Sequence, residues 1–113
     1  QAATDAMNAS SEGLPAGTSE FDHAGLARAE CETIACARVT SAPAALECKL
    51  VSIQQIKGAA NFIAIGEVTG IHMRDDCLVD GKFDSTRFIP LARMGYRDYT
   101  LVRDVFELSR PDD

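Results

Sequence analysis

Two stretches of the chain carry a two-residue period. Over residues 44–56 the order A-A-L-E-C-K-L-V-S-I-Q-Q-I sets Leu46, Cys48 and Leu50 on one side of an extended strand and Glu47 and Lys49 on the other. Such alternation predicts a strand with one face buried. Residues 62–73, rich in Ile and Val, predict a second strand, and Lys57-Gly58-Ala59-Ala60 predicts the turn between them. Two strands joined so closely read as an antiparallel hairpin. Gly66 and Gly70 fall inside the second strand. Glycine there marks a bulge, a sharp bend or a close approach to the backbone, and such curvature suits a barrel wall better than a flat sheet.

The flanks are less periodic. Residues 1–12 are rich in Ala and lack Pro and Gly, which predicts a short helix, and its abrupt start points to a chain that begins mid-element. Leu14-Pro15-Ala16-Gly17 breaks it. Thr18 or Ser19 then caps a second short helix, with acidic Glu20 and Asp22 early and Gly25 as its stop. A long connection of mixed polarity runs from residue 33 to 43. Beyond the hairpin, Arg74-Asp75-Asp76 and Val79-Asp80-Gly81-Lys82 predict turns, the Asp-Gly pair being a good hairpin dipeptide. Asp84 or Ser85 caps a short helix through Phe88, ended near Pro90. Residues 90–99, P-L-A-R-M-G-Y-R-D-Y, read as a glycine-broken loop with two tyrosines, and the chain closes in an extended tail.

Composition narrows the class. With 113 residues, 46% hydrophobic and 25% charged, this is enough for one small soluble domain and too little for two. A net charge of -6 and scattered basic residues argue against nucleic acid or an anionic membrane as partner. No apolar run is long enough to span a bilayer and no signal peptide opens the chain, so the cytoplasm is the expected location. Cys31, Cys36, Cys48 and Cys77 include no C-x-x-C pair, and two histidines accompany them, so a zinc site is not expected. Cys48 reads as a small buried hydrophobe, and Cys31 and Cys36 flank a polar, loop-like stretch. Glu30 and Glu32 beside Cys31 oppose a lowered thiol pKa. All four cysteines read as reduced and structural; a thiol sensor would need a reactive Cys31 or Cys36. There is no G-x-G-x-x-G, P-loop, G-x-S-x-G or H-E-x-x-H, and nothing supports a hydrolase.

The ordered series A-M-N-A-S-S, S-E-F-D-H-A-G-L, A-L-E-C-K-L-V, G-E-V-T-G-I-H-M and P-L-A-R-M-G-Y-R-D-Y resembles the C-terminal half of the flavin reductase-like family. The resemblance implies a mainly β, antiparallel FMN-binding split barrel with short peripheral helices, incomplete and lacking its N-terminal strands. In that reading residues 1–113 are the C-terminal portion of one domain, 1–43 a helix-and-loop excursion and 44–113 the barrel strands and C-terminal loop. Family members use FMN, with NAD(P)H as electron donor. The early strands that supply most FMN contacts in the family have no counterpart in this chain.

Four positions are candidate cofactor contacts through the resemblance: Asn61, Arg93, Gly95 and Tyr99. Asn61 stands where the family often has His; its amide can bond a flavin edge or simply form the turn, and it cannot act as acid or cation. Arg93 offers a donor fork to phosphate or flavin oxygens, or a surface ion pair. Gly95 lets the loop fold tightly. Tyr99, and Tyr96 where the family often has a second Gly, can cover a flat ring; Tyr99 also suits a core anchor. His72 reads as structural and Glu67 as facing the polar side of its strand. No catalytic residue is assigned. A partial barrel exposes strand edges, so the expected partner is a second copy or a missing N-terminal segment. The competing expectation is a flavin-incompetent fragment or oligomerisation module.

Overall fold

The computed structural model describes residues 2–113 and divides the chain into two units, the first ending at Arg74 and the second running Asp75–Asp113. Each unit is built mainly from antiparallel hairpins. The first contains helices α1 (Ala2–Ala9) and α2 (Glu20–Ala24), strands β1 (Arg28–Glu30) and β2 (Ala37–Val39), and the long strands β3 (Ala44–Gln55) and β4 (Phe62–Met73). The second contains β5 (Leu78–Val79), β6 (Lys82–Phe83), β7 (Leu91–Gly95) and β8 (Asp98–Leu101), with single 3-10 turns at Asp75–Cys77 and Ser85–Arg87. Every sheet is two-stranded, so no sheet among the described residues closes on itself. The class is mainly β with short helices, an incomplete split barrel.

The β3–β4 hairpin shows how sequence sets a face. Its register pairs Leu46 with Ile71, Cys48 with Val68, Leu50 with Gly66, Ile53 with Ala64 and Gln55 with Phe62. Strict alternation would put Ile53 opposite in phase to Leu50, and Ile71 opposite in phase to Val68. Two irregularities correct this, one leaving Thr69 unpaired on β4 and one leaving Val51 unpaired on β3. An extra residue in one strand flips the phase of everything after it. The outcome is one continuous apolar face of Leu46, Leu50, Ile53, Phe62, Val68 and Ile71. The glycines predicted to mark bulges sit beside them, Gly70 opposite Glu47 and Gly66 opposite Leu50.

Burial inverts the expectation for β3. Its apolar face is open, with Leu46, Leu50 and Ile53 all about 60% exposed, while Glu47 on the other face is 4% exposed. No element of the first unit covers the apolar side, whereas the Glu47 carboxylate is covered by the β1–β2 loop that binds it. Cys48, expected to be buried, is exposed on that same open face, and Cys77 is the cysteine that is buried.

Other elements follow local chemistry. Helix α2 stops at Gly25 in the left-handed region (φ 70°), as expected. Ser19 occupies its N-cap backbone position but makes no capping bond. Its hydroxyl instead accepts from Arg28 Nη2 at 2.7 Å, while Arg28 Nη1 bonds Asp22 at 2.9 Å and the guanidinium lies over Phe21. Asp80 and Gly81 (φ 52° and 78°) form the β5–β6 turn. The Asp84 carboxylate caps Thr86, although the helix it starts is a single 3-10 turn. Two hairpins were invisible to the pattern. Residues 28–39 form β1–β2, whose second strand falls inside the connection expected at 33–43, and the supposed loop at 90–99 is mostly the β7–β8 ribbon.

Candidate functional site

Glu47 is the best-held polar side chain in the first unit. It lies over Gly70, its register partner, and a Cβ on that glycine would sit 3.0 Å from Glu47 Oε1. The absent side chain is what lets the carboxylate reach the loop after β1. There Thr33 N donates to Oε1 at 2.7 Å, Thr33 Oγ1 donates at 2.7 Å, and Glu32 N donates at 3.1 Å to both oxygens. Because the Thr33 proton goes to the carboxylate, the Thr69 hydroxyl 2.7 Å away donates to Thr33 in turn. The residue left unpaired by the bulge thus completes the chain. The Thr33 hydroxyl first, then the two backbone N–H groups, hold the Glu47 carboxyl below the usual glutamate range against the opposing effect of burial.

Beside this carboxylate lies a polar cavity of about 80 Å³ lined by Glu30, Glu32, Arg38, Glu47, Gly70, Ile71 and His72. Arg38 Nη1 is buried there and has no hydrogen-bond partner among the described residues. The volume suits a water or two bridging Arg38 to the glutamates. It is well below the several hundred Å³ of an ordinary ligand pocket, and three carboxylates would repel a phosphate. The cavity does not fit a flavin. Cys31, half-buried beside it, has its thiol pKa raised by burial first and then by the Glu47 charge, with Arg38 acting in the opposite sense.

The sequence-derived cofactor candidates fall in two places. Arg93, Gly95 and Tyr99 lie together on the β7–β8 hairpin, where Arg93 is the register partner of Tyr99 and Gly95 of Asp98. Gly95 has φ 132°, a conformation that a Cβ strains, and Tyr96 follows it at φ 47°. Arg93 Nη2 closes this turn by donating to the Tyr96 carbonyl at 2.8 Å, which leaves most of its N–H fork unengaged by that bond. Tyr99 is 44% exposed and Tyr96 79%, the latter with the Arg97 guanidinium over its ring. A guanidinium and a phenol are therefore register partners on one exposed ribbon. Asn61 lies in the other unit, after the β3–β4 turn. Its side-chain amide donates to the Lys57 carbonyl at 3.2 Å and its backbone carbonyl accepts from Ile56 N at 2.9 Å, so the turn engages it while Oδ1 remains an available acceptor. His72 lines the polar cavity, and Glu67 pairs across the ribbon with Lys49 on the polar face. No group of three or more His, Cys, Asp or Glu among the described residues is placed to hold a metal ion, and no described helix is long and apolar enough to cross a membrane.

With antiparallel hairpins, paired bulges and a glycine-broken final ribbon in place, the sequence match is informative: residues 1–91 match the flavin reductase like domain. The chain belongs to the flavin reductase-like family, a family of flavin-related oxidoreductases. It is 35% identical over 108 residues to an uncharacterized protein of Deinococcus radiodurans, covering 92% of this chain and 47% of that protein. It is 32% identical over 112 residues to an uncharacterized protein of Halalkalibacterium halodurans, covering 95% and 53%. Among solved structures it resembles nitrilotriacetate monooxygenase component B from Bacillus cereus, with TM-score 0.84, 25% identity and coverage of 96% of this chain and 55% of that one. It also resembles the 2-nitrobenzoate 2-nitroreductase NbaA of Pseudomonas fluorescens, with TM-score 0.79, 25% identity and coverage of 96% and 54%. The chain spans about half the length of these relatives.

Proposed function

We propose that residues 1–113 are the C-terminal portion of a single flavin reductase-like domain, in an FMN-dependent oxidoreductase that reduces flavin with NAD(P)H in the cytoplasm. In this reading 1–43 is the helix-and-loop excursion and 44–113 carries the barrel strands and the final loop. The observation that carries it is the flavin reductase like match over residues 1–91. Redox chemistry also recurs in the structural relatives, one a monooxygenase component and the other a nitroreductase.

FMN when bound would supply the hydride and electron chemistry, and the protein would bind and orient it. On the β7–β8 hairpin, Arg93 would donate to a phosphate or flavin oxygen and Tyr99 would lie against the ring, with Gly95 shaping the turn that places them. Asn61, on the other unit, is a separate candidate contact through its free amide oxygen. The open apolar face of β3–β4 would be covered by a second copy or by further strands of the same protein, since contiguous exposed apolar surface marks an interface.

That same open face supports a second reading, in which these 113 residues are a flavin-incompetent association module. Adding FMN to the full-length protein and to the 113-residue chain, then separating free ligand by gel filtration, distinguishes the two. Yellow protein that bleaches when NADH or NADPH is added supports the reductase. A full-length protein that stays colourless and leaves the nucleotide unconsumed overturns it.

A further inference from the structure

The β1–β2 hairpin pairs Arg28 with Val39, Ala29 with Arg38 and Glu30 with Ala37. The last paired rung is Glu30–Ala37, so Cys31 and Cys36 are the first residues beyond it on either side of the loop, at the positions that the next rung of the same register would oppose. Residues directly opposed in an antiparallel ladder have Cα atoms about 4.5–5.5 Å apart, within the roughly 4.4–6.8 Å that a disulfide spans. The loop between the two cysteines is anchored rather than free, because Glu32 N and both donors of Thr33 bond the Glu47 carboxylate. Both thiols are free, Cys36 exposed and Cys31 half-buried. Burial first, and then the Glu47 charge, raise the Cys31 thiol pKa, with Cys36 a smaller influence in the same sense.

We propose that Cys31 and Cys36 are a reversible dithiol–disulfide site, oxidised by exchange with a low-molecular-weight disulfide. The exposed Cys36 attacks as thiolate on one sulfur of the small disulfide RSSR, forming a Cys36–S–SR bond and releasing RS⁻. Cys31 then attacks the Cys36 sulfur and expels the second RS⁻. The protons lost from the two cysteines end on the two released thiols, so two thiols and RSSR give one protein disulfide and two RSH. Cys36 is the entry point because it is exposed, and because thiolate character and access govern the first attack. Closing the ring uses neither the Glu32 nor the Thr33 donors that hold Glu47, so the oxidised loop stays seated. The exchange needs no flavin.

Trypsin provides a direct test, since cleavage after Arg28 and Arg38 leaves both cysteines in one peptide, residues 29–38, apart from Cys48 and Cys77. The full-length protein is equilibrated in mixtures of reduced and oxidised glutathione, acid-quenched, alkylated and digested. The expected result is a 29–38 peptide that loses two hydrogens and both alkylation sites as the mixture becomes oxidising, and regains them on reduction. Cys31→Ser should instead accumulate a glutathione adduct on Cys36, and Cys36→Ser should stay largely unmodified at Cys31. A wild-type peptide that keeps two alkylatable thiols, or ends as a stable adduct at Cys36, overturns the proposal. So does oxidation that links either cysteine to Cys48, to Cys77 or to a second molecule.

Discussion

Glu47 gives the clearest lesson at the scale of single residues. Its carboxylate is out of solvent yet fully provided for, with donors from Glu32 and Thr33. Because its folded-state pKa lies below the unfolded value, its contribution to stability is complete above the ordinary glutamate range and is lost as pH falls through it toward the lower folded value. Thermal melts from neutral to acid pH should therefore show Glu47→Gln less stable than wild type at neutrality, with the gap narrowing on acidification. A gap that is constant with pH would deny the carboxylate this role. Arg93 yields a ligand prediction. If its fork bonds the cofactor, Arg93→Ala in the full-length protein should weaken FMN binding about ten- to a hundredfold in a fluorescence titration, as loss of a charge-assisted hydrogen bond does. Alternation alone placed Glu47 on the polar side of β3, and that was correct. Its burial was illegible, because the covering groups lie 14 and 15 residues upstream in a segment without a period.

Among the elements, long strands announced themselves and short ones did not. β4 begins and ends where the Ile- and Val-rich run does, and β3 ends one residue before the predicted limit. Twelve residues hold enough alternation to survive the one phase change in each strand, and Gly66 and Gly70 signalled those changes. The strands of β1–β2 have only three residues each, too few for a period to show. In β7–β8 the sequence R-M-G-Y-R reads as a loop since every side chain there is exposed and none marks an inner face. Gly70 tests the β3–β4 geometry. A Cβ there would lie 3.0 Å and 3.1 Å from Glu47 Oε1 and Cδ, and 3.3 Å from Thr33 Oγ1. Gly70→Ala should cost about 1–3 kcal/mol through this crowding, read as a lower urea midpoint with an unchanged slope. An alanine variant as stable as wild type would mean that the carboxylate has room to move.

For the molecule as a whole, the dominant fact is the apolar surface left open. Leu46, Leu50, Ile53, Phe62, Val68 and Ile71 share one side of a single ribbon and range from 46% to 64% exposed, and in the second unit Phe106 and Leu108 reach 84%. A two-stranded ribbon is marginal by itself, so this surface should drive association. Sedimentation of the 113-residue chain should show species larger than one chain, and the double substitution Leu50→Lys with Ile53→Lys should shift it toward the monomer. A wild-type chain that sediments as a monomer at high concentration would contradict the interface. The family and the antiparallel class were legible in the order of segments. The compact unit that ends at Arg74 had no signal of its own, because it ends at a turn that composition does not distinguish from the others.

The seat of Glu47 also constrains how the protein can vary. Thr33, Glu47 and Gly70 come from three separate segments, yet each is acceptable only because of the other two: the hydroxyl needs the acid, and the acid needs the missing side chain. Among homologous sequences these three alignment columns should change together, and a lineage that places a larger residue at 70 should have given up the acid at 47.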